Sequence, residues 1–374
     1  MTPAAEGTLL IVQHGRGRGR LHGFRNHLLQ HFARAAPGLA RRIRLHETGS
    51  GRPDLAGVRA AMFWLADPLF ELYPDCHAEA TDIAAEVWAR GGAVANDPAA
   101  LSNTIKSVQA RVWSDAGIPC SGAEPFVDAA GLREAVARAG LPAIVRTDLH
   151  HAQEDTHLCR TMADVDALPA AGRLYPGVVL PLVDTRAGYV RERPGTIWAR
   201  CWHKKRIFVF GDLVVPNHCL FSPGPVVGLQ RSLFWRYRRR RGILAPLIAL
   251  RRWDREALAV DRAYAEAAPE RPELFVRATR ALGLEWAAID YSTLADGGVI
   301  LWEANPYFTL PVGPKGPLAR ARRLGPRVDR LCAAMVLHLQ QLVEGERGTG
   351  SGERAAPLLP AVPVPSSLFP VPPT

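Results

Sequence analysis

The stretch Gly283–Phe308, GLEWAAIDYSTLADGGVILWEANPYF, constrains the fold of this chain more than any other. Trp286–Leu294 and Val299–Ala304 are rich in β-branched and aromatic residues, and Asp296-Gly297-Gly298 between them is a tight-turn signal, so the segment reads as a β-hairpin. With Asp296-Gly297 as a two-residue loop, Ala295 pairs with Gly298, and counting outward sets Asp290 directly opposite Glu303. Like charges facing each other across a strand pair destabilise it, and a bound cation removes the conflict. Asn305 lies two residues after Glu303 and therefore points to the same face. Two carboxylates and an amide oxygen form a hard-oxygen set suited to Mg²⁺ or Mn²⁺, with nucleotide phosphates supplying further ligands. The competing reading is a solvated hairpin face whose register has slipped.

At 374 residues and 48% hydrophobic content the chain can bury a large core divided over two or three domains. No apolar run reaches the roughly eighteen residues of a membrane span, and Met1–Leu9 lacks the basic start and apolar core of a signal peptide. A cytoplasmic protein without a membrane span is expected. The six cysteines stand far apart with no CxxC pair, against both a zinc site and a disulfide framework. The net charge of +10 invites a nucleic-acid partner, but only Lys106, Lys204, Lys205 and Lys315 are lysines, so the excess is arginine and reflects coding bias in part. Against that background a lysine marks a place where a compact ammonium is wanted.

Thr8–Gln13 reads as a buried strand, followed by the basic loop His14–Arg20 and an amphipathic helix over Phe24–Ala35. The loop is either an anion-binding turn or a basic surface loop, and its spacing is not that of a dinucleotide site. Ala60–Leu65 and Gly92–Asn96 are further strands, separated by a helix through Ile83–Arg90. Strand-helix alternation over residues 1–98 predicts a small parallel α/β domain. Leu101–Pro119 reads as a helix capped by Ser102 or Asn103. After a helix over Gly131–Ala139 comes the strand Leu141–Arg146 and the glycine-free loop Thr147–Thr156. The loop's His150, His151 and Asp155 are either phosphate contacts or solvated side chains, and the solvated reading is preferred. Val178–Asp184 is an apolar strand. Trp198–His218 forms a second hairpin turning at Gly211-Asp212, with Lys204 and Arg206 on one face and His203 and Lys205 on the other.

The order of these segments resembles the ATP-grasp superfamily. The metal hairpin with its Leu-Trp-Glu-Ala-Asn-Pro end is the first point of likeness. The Asn-x-x-Lys helix closing in Ala-Gly-Ile-Pro and the Arg-x-Phe-Val-x-Gly-Asp-x-Val-Val hairpin are the others. The second hairpin is similar to that of the ribosomal-protein S6 glutamate-ligase-like branch. The resemblance covers roughly residues 101–343. It implies a mixed α/β (α+β) chain: the N-terminal domain, then over residues 99–343 a two-subdomain fold whose antiparallel sheets clasp ATP, then a disordered tail over 344–374. It further implies that Asp290, Glu303 and Asn305 hold Mg²⁺ (or Mn²⁺) against ATP. By the same resemblance Lys106 and Arg146 contact phosphates, Val183 and Asp184 sit by adenine and ribose, and Arg206, with Lys204 beside it, stabilises the transferred phosphoryl group. Arg146 stands where the family usually has lysine.

The implied activity is a carboxylate-amine ligase that joins a small-molecule or peptide carboxylate to an amine through an acyl phosphate. Two other classes stay open: a non-catalytic or regulatory ATP-binding protein, and a basic nucleic-acid-associated protein. The Arg-rich segment Phe234–Arg241 (FWRYRRRR) either meets an acidic co-substrate or is a solvated run. No recognised nucleic-acid module accompanies it, so a nucleic-acid partner is not favoured. Leu318–Val343 reads as a closing helix or a helix pair bent at Gly325-Pro326.

Overall fold

A computed structural model describes residues 7–15, 22–150, 155–186, 201–228, 232, 252–308, 320 and 322–345. The loop beyond Gly15, His151, Val183's downstream segment from residue 187 to 200, the Arg-rich segment 234–241 and the tail beyond 345 lie outside these residues.

Four parallel strands open the chain in the order β2-β1-β3-β4: β1 (Thr8–Gln13), β2 (Ile43–Glu47), β3 (Val58–Trp64) and β4 (Ala93–Ala95). The expected domain thus has one strand more than the sequence suggested. IRLHE is a charged, half-exposed edge strand, the kind that hides its period behind protective charge. α1 (His22–Ala35) and α2 (Pro37–Ala40) cover one face, while α3 (Leu69–Leu72) and α4 (Pro74–Ala89) cover the other.

The expected helix over Leu101–Pro119 is broken. Pro98–Thr104 is a 3₁₀ turn capped by Asp97, whose carboxylate accepts from Ala99 N–H, and α5 (Lys106–Asp115) starts only after the extended Ile105. Ser102 and Asn103 are not caps: Ser102 donates to Glu71 and Asn103 to the Leu282 carbonyl. The break puts Lys106 at the first position of its helix.

A short antiparallel sheet follows in the order β5-β8-β6-β7, formed by β5 (Glu124–Phe126), β6 (Ala143–Thr147), β7 (His157–Cys159) and β8 (Gly177–Pro181). α6 (Ala129–Ala139) and α7 (Met162–Asp166) back it, and Ala143, Val145 and Val179 point into that core. The alternate residues Ile144, Arg146 and Leu180 are only partly covered and face the other way.

The long antiparallel sheet runs β10-β9-β11-β12, from β9 (Trp202–Phe210), β10 (Leu213–Ser222), β11 (Trp286–Thr293) and β12 (Val299–Asn305). α8 (Arg252–Glu266) and α9 (Pro272–Ala281) precede its second hairpin, and α10 (Leu324–Glu344) closes the chain. Ile207, Val209, Ala287 and Ile289 share a core with Phe275 of α9; Phe208, Phe210, Trp286 and Ala288 pack instead with Met335 and Leu339 of α10. The same α10 cluster includes Leu9, Ile11 and Met62 of the parallel sheet, so one helix joins the two sheets. Buried Asn96 adds a polar tie, accepting from Glu285 and Trp286 N–H and donating to the Trp286 carbonyl. No bend divides the closing helix: it begins at Leu324 with Pro326 in its first turn, where a missing N–H costs nothing. None of the described helices is long and apolar enough to cross a membrane.

Candidate active site

Sequence counting places Asp290 opposite Glu303, and the structure does so by another route. The hairpin closes Leu294 on Gly298 around the three-residue loop Ala295-Asp296-Gly297, with Gly297 at φ 84°. This shifts the ladder by one residue, giving Tyr291↔Leu301. A bulge at Trp302 then restores Asp290↔Glu303 and sets Asn305 opposite Ala288. The Trp302 indole donates to Ser292 Oγ at 2.8 Å and fixes the bulge.

Arg206 of β9 pairs with Asp290 on its other side, and His218 of β10 pairs with Arg206. The four strands therefore carry one straight row, His218, Arg206, Asp290, Glu303. Lys204 and Asn305 lie on the same face, one step along their own strands to opposite sides of the row. Lys204 Nζ donates to Asp290 at 2.7 Å, and Arg206 forks onto both oxygens at 2.5 and 2.9 Å. Asp290 is 2% exposed. Burial opposes its charge, yet the Arg206 and Lys204 cations more than offset this and hold the carboxyl below its ordinary range. Arg206 is burdened by the same burial and is kept charged by Asp290.

Arg146 reaches across from β6 to Glu303, 3.4 Å from NH1 to Oε2, so the short sheet's open face looks onto the β12 edge of the long sheet. Its Nε is buried without a hydrogen-bond partner. Lys106 projects into the same region, and Nζ donates to the carbonyls of Asp148 and His150 at 3.0 and 2.9 Å. Burial, and next the Arg146 charge, lower its pKa to about 8. Asp148 accepts from Ser107 N–H and Oγ, anchoring the start of the glycine-free loop on α5. Burial raises the Asp148 carboxyl, with Ser107 and Lys106 opposing. Gln109 bonds both the N–H and the C=O of Ala304, so α5 seals the edge of β12.

A pocket between the sheets is lined by Lys106, Trp113, Arg146, Leu180, Leu301 and Trp302. Its lining combines apolar side chains with two cations. Val183 and Asp184 lie just past β8 rather than in this lining; Asp184 is exposed and its carboxylate is gripped by Arg186. The sequence could have pointed to Trp302, an aromatic side chain in the residue directly before Glu303, but not to its bulge. The structure thus brings together Lys106, Arg146, Lys204, Arg206, Asp290, Glu303 and Asn305, with Val183 and Asp184 outside that group.

No family model matches the chain, and no curated protein matches its sequence. Solved structures do. The ATP-grasp ligase PsnB complexed with a minimal precursor superposes with a TM-score of 0.50 at 14% identity, over 89% of this chain and 99% of that one. D-cycloserine synthetase DcsG gives 0.51 at 14% identity over 87% and 99%. D-alanyl-alanine synthetase A from Vibrio cholerae O1 biovar eltor gives 0.52 at 13% identity over 91% and 99%. The chain has the ATP-grasp fold.

Proposed function

We propose that this protein is an ATP- and Mg²⁺-dependent carboxylate-amine ligase working through an acyl phosphate. The observation that carries the reading is the row Arg206, Asp290, Glu303 beside Asn305, confronted across the cleft by Arg146 with an unsatisfied buried Nε. An orphaned guanidinium N–H in a cleft awaits an anion. Glu303 and Asn305 offer hard oxygens of the kind Mg²⁺ takes, whereas both Asp290 oxygens are engaged by Arg206 and Lys204. When bound there, the metal supplies Lewis-acid neutralisation of phosphate charge.

The chain's own residues divide the remaining work. Arg146 and Lys106 bind and orient the phosphates, beside the apolar side chains of Leu180, Leu301 and Trp302. Arg206 and Lys204 are already oriented by Asp290, so their N–H groups stabilise charge on the transferred phosphoryl group without reorganising. The carboxylate oxygen attacks the terminal phosphorus and ADP leaves; the amine nitrogen then attacks the acyl carbon and phosphate leaves. No covalent protein nucleophile is required. Among the neighbouring structures one is an ATP-grasp ligase and another a D-alanyl-alanine synthetase by name, which supports the reading as analogy of fold. A cytoplasmic location accords with this chemistry.

Calorimetric titration with ATP, with and without Mg²⁺, tests it. Metal-dependent binding is expected in the wild type and its loss in a Glu303→Ala, Asn305→Ala variant. A wild type that binds no nucleotide, or that binds it and releases no ADP with any carboxylate-amine pair, overturns the ligase.

A further inference from the structure

α5 begins without a cap of its own. Its N-cap is Ile105, whose side chain accepts nothing, so the first amides of this ten-residue helix need an acceptor from elsewhere. Asp148, directly after β6, supplies it: the carboxylate accepts from Ser107 N–H at 2.9 Å and from Ser107 Oγ at 2.5 Å. The same residue holds the side chain that precedes Ser107. Its backbone carbonyl accepts from Lys106 Nζ at 3.0 Å, joined by the His150 carbonyl at 2.9 Å. The Asp148 N–H donates to the Pro176 carbonyl at 3.0 Å, just before β8, so this grip on Lys106 is fixed to the short sheet.

Both ends of Lys106 are therefore set from one place. Its main chain adjoins the amide that Asp148 caps, and its ammonium rests on loop carbonyls. An ammonium carries three N–H groups, and two of them have acceptors among the described residues. Lys106 lines the pocket together with Arg146. A loop that cradles phosphate turns N–H groups toward its ligand, whereas Asp148 and His150 turn carbonyls toward Lys106. At this end the glycine-free loop holds a cation rather than an anion. Burial and then Arg146 oppose the charge on Lys106, while Glu303, Asp148 and Asp67 favour it. Asp148 thus acts on both the charge of the lysine and its place.

We infer that Asp148 is a positioning residue for the nucleotide: by capping α5 through Ser107 and holding Lys106 Nζ on its own carbonyl, it aims the remaining N–H of that ammonium at the phosphates. The inference rests on the ligase reading, in which Lys106 binds phosphate, and adds the residue that places it. An untethered lysine loses its rotamer freedom on meeting a phosphate; Lys106 has given that freedom up before the nucleotide arrives.

A double-mutant cycle on Mg–ADP binding, read by calorimetry at pH 7, tests it. Asp148→Ala removes the carboxylate that locks the loop to α5. It is expected to weaken Mg–ADP roughly tenfold in the wild-type background, as for one hydrogen bond to a charged group. In Lys106→Met, where no ammonium is left to place, the same change should bring no weakening. Comparable weakening in both backgrounds, the mark of a merely structural role, or none in the wild type overturns the inference, while the ligase reading stands on Mg–ADP binding itself. A Lys106→Met protein that binds Mg–ADP as tightly as the wild type overturns it too. Failure of the wild type to bind Mg–ADP removes both. Should Asp148→Ala not fold, Asp148→Asn decides, since asparagine still caps but carries no charge. The wild type should lose Mg–ADP affinity as pH rises above about 8, where Lys106 gives up its proton, and the asparagine variant should do so at lower pH. An unmoved pH profile refutes action through Lys106.

Discussion

Asp290→Asn tests how the site is held before any ligand arrives. The carboxylate is almost wholly buried and receives three charge-assisted hydrogen bonds, one from Lys204 and two from Arg206. Asparagine preserves the shape but removes the charge and turns an NH₂ group toward one of the cations. Removing one partner of a buried ion pair leaves the other unpaired in a poorly solvated site, a loss of about 3–5 kcal/mol. Urea unfolding at pH 7 should show that loss. Adding Arg206→Met should recover part of it, because the stranded guanidinium is gone. The acid limb gives a second check. The Asp290 carboxyl is held below its ordinary range by Arg206 and Lys204 against burial, so its stabilisation is complete above the unfolded-state value of about 3.9 and disappears as pH falls through the lower folded value. Wild-type and variant stabilities should therefore begin to converge below about pH 4 and meet only below the folded value. A variant within about 1 kcal/mol of wild type at pH 7 would refute the buried ion pair as the element that orients Arg206.

Lys106 gives the opposite slope. The unfolded chain keeps this proton to about 10.5 and the folded one releases it at about 8, so stability rises between those values, by roughly 3 kcal/mol at most. Lys106→Met should flatten that rise, and ATP binding near pH 8.5–9, on the order of one unit above the folded value, should take up protons in the wild type alone, read by calorimetry in two buffers of different ionisation enthalpy. Gln109→Leu strands the buried N–H and C=O of Ala304 and should cost about 2–4 kcal/mol in denaturant unfolding, with nucleotide affinity falling as β12 loosens. Gly211 turns the first hairpin at φ 58°, with a built Cβ lying 2.5 Å from His338 Nδ1. Gly211→Ala should lose at least about 1–2 kcal/mol, and an unchanged melting temperature would contradict the tight turn.

The parts of the fold legible in the sequence are those written in local chemistry. Thr8–Gln13 is a strand as its apolar run requires, and Gly211-Asp212 turns the first hairpin where its residues indicate. Asp290 meets Glu303 because the misplaced turn and the unforeseen bulge at Trp302 cancel. That agreement owes nothing to the turn rule alone: Asp296-Gly297 admits a two- or three-residue loop, and the difference is settled by Trp302 reaching Ser292 and by Gln109 holding Ala304. The fourth parallel strand escaped notice because its edge position calls for charge rather than alternation.

His218 shows why the rest was hidden. Alternation along VVPNHCLF puts Asn217 beside Arg206, and only Pro216 hints that the ladder fails there. What enforces the bulge is a carboxylate on α8 and a guanidinium on α10, distant in sequence and joined only by folding. The two register breaks within the long sheet's hairpins, beside Asp290 and beside His218, both border the charged row. A regular ladder would have aligned neither end of it. Bulges aim side chains at the cost of regular pairing, and long-range contacts hold them in place, so the residues they set into the row are those a local pattern is least able to reveal.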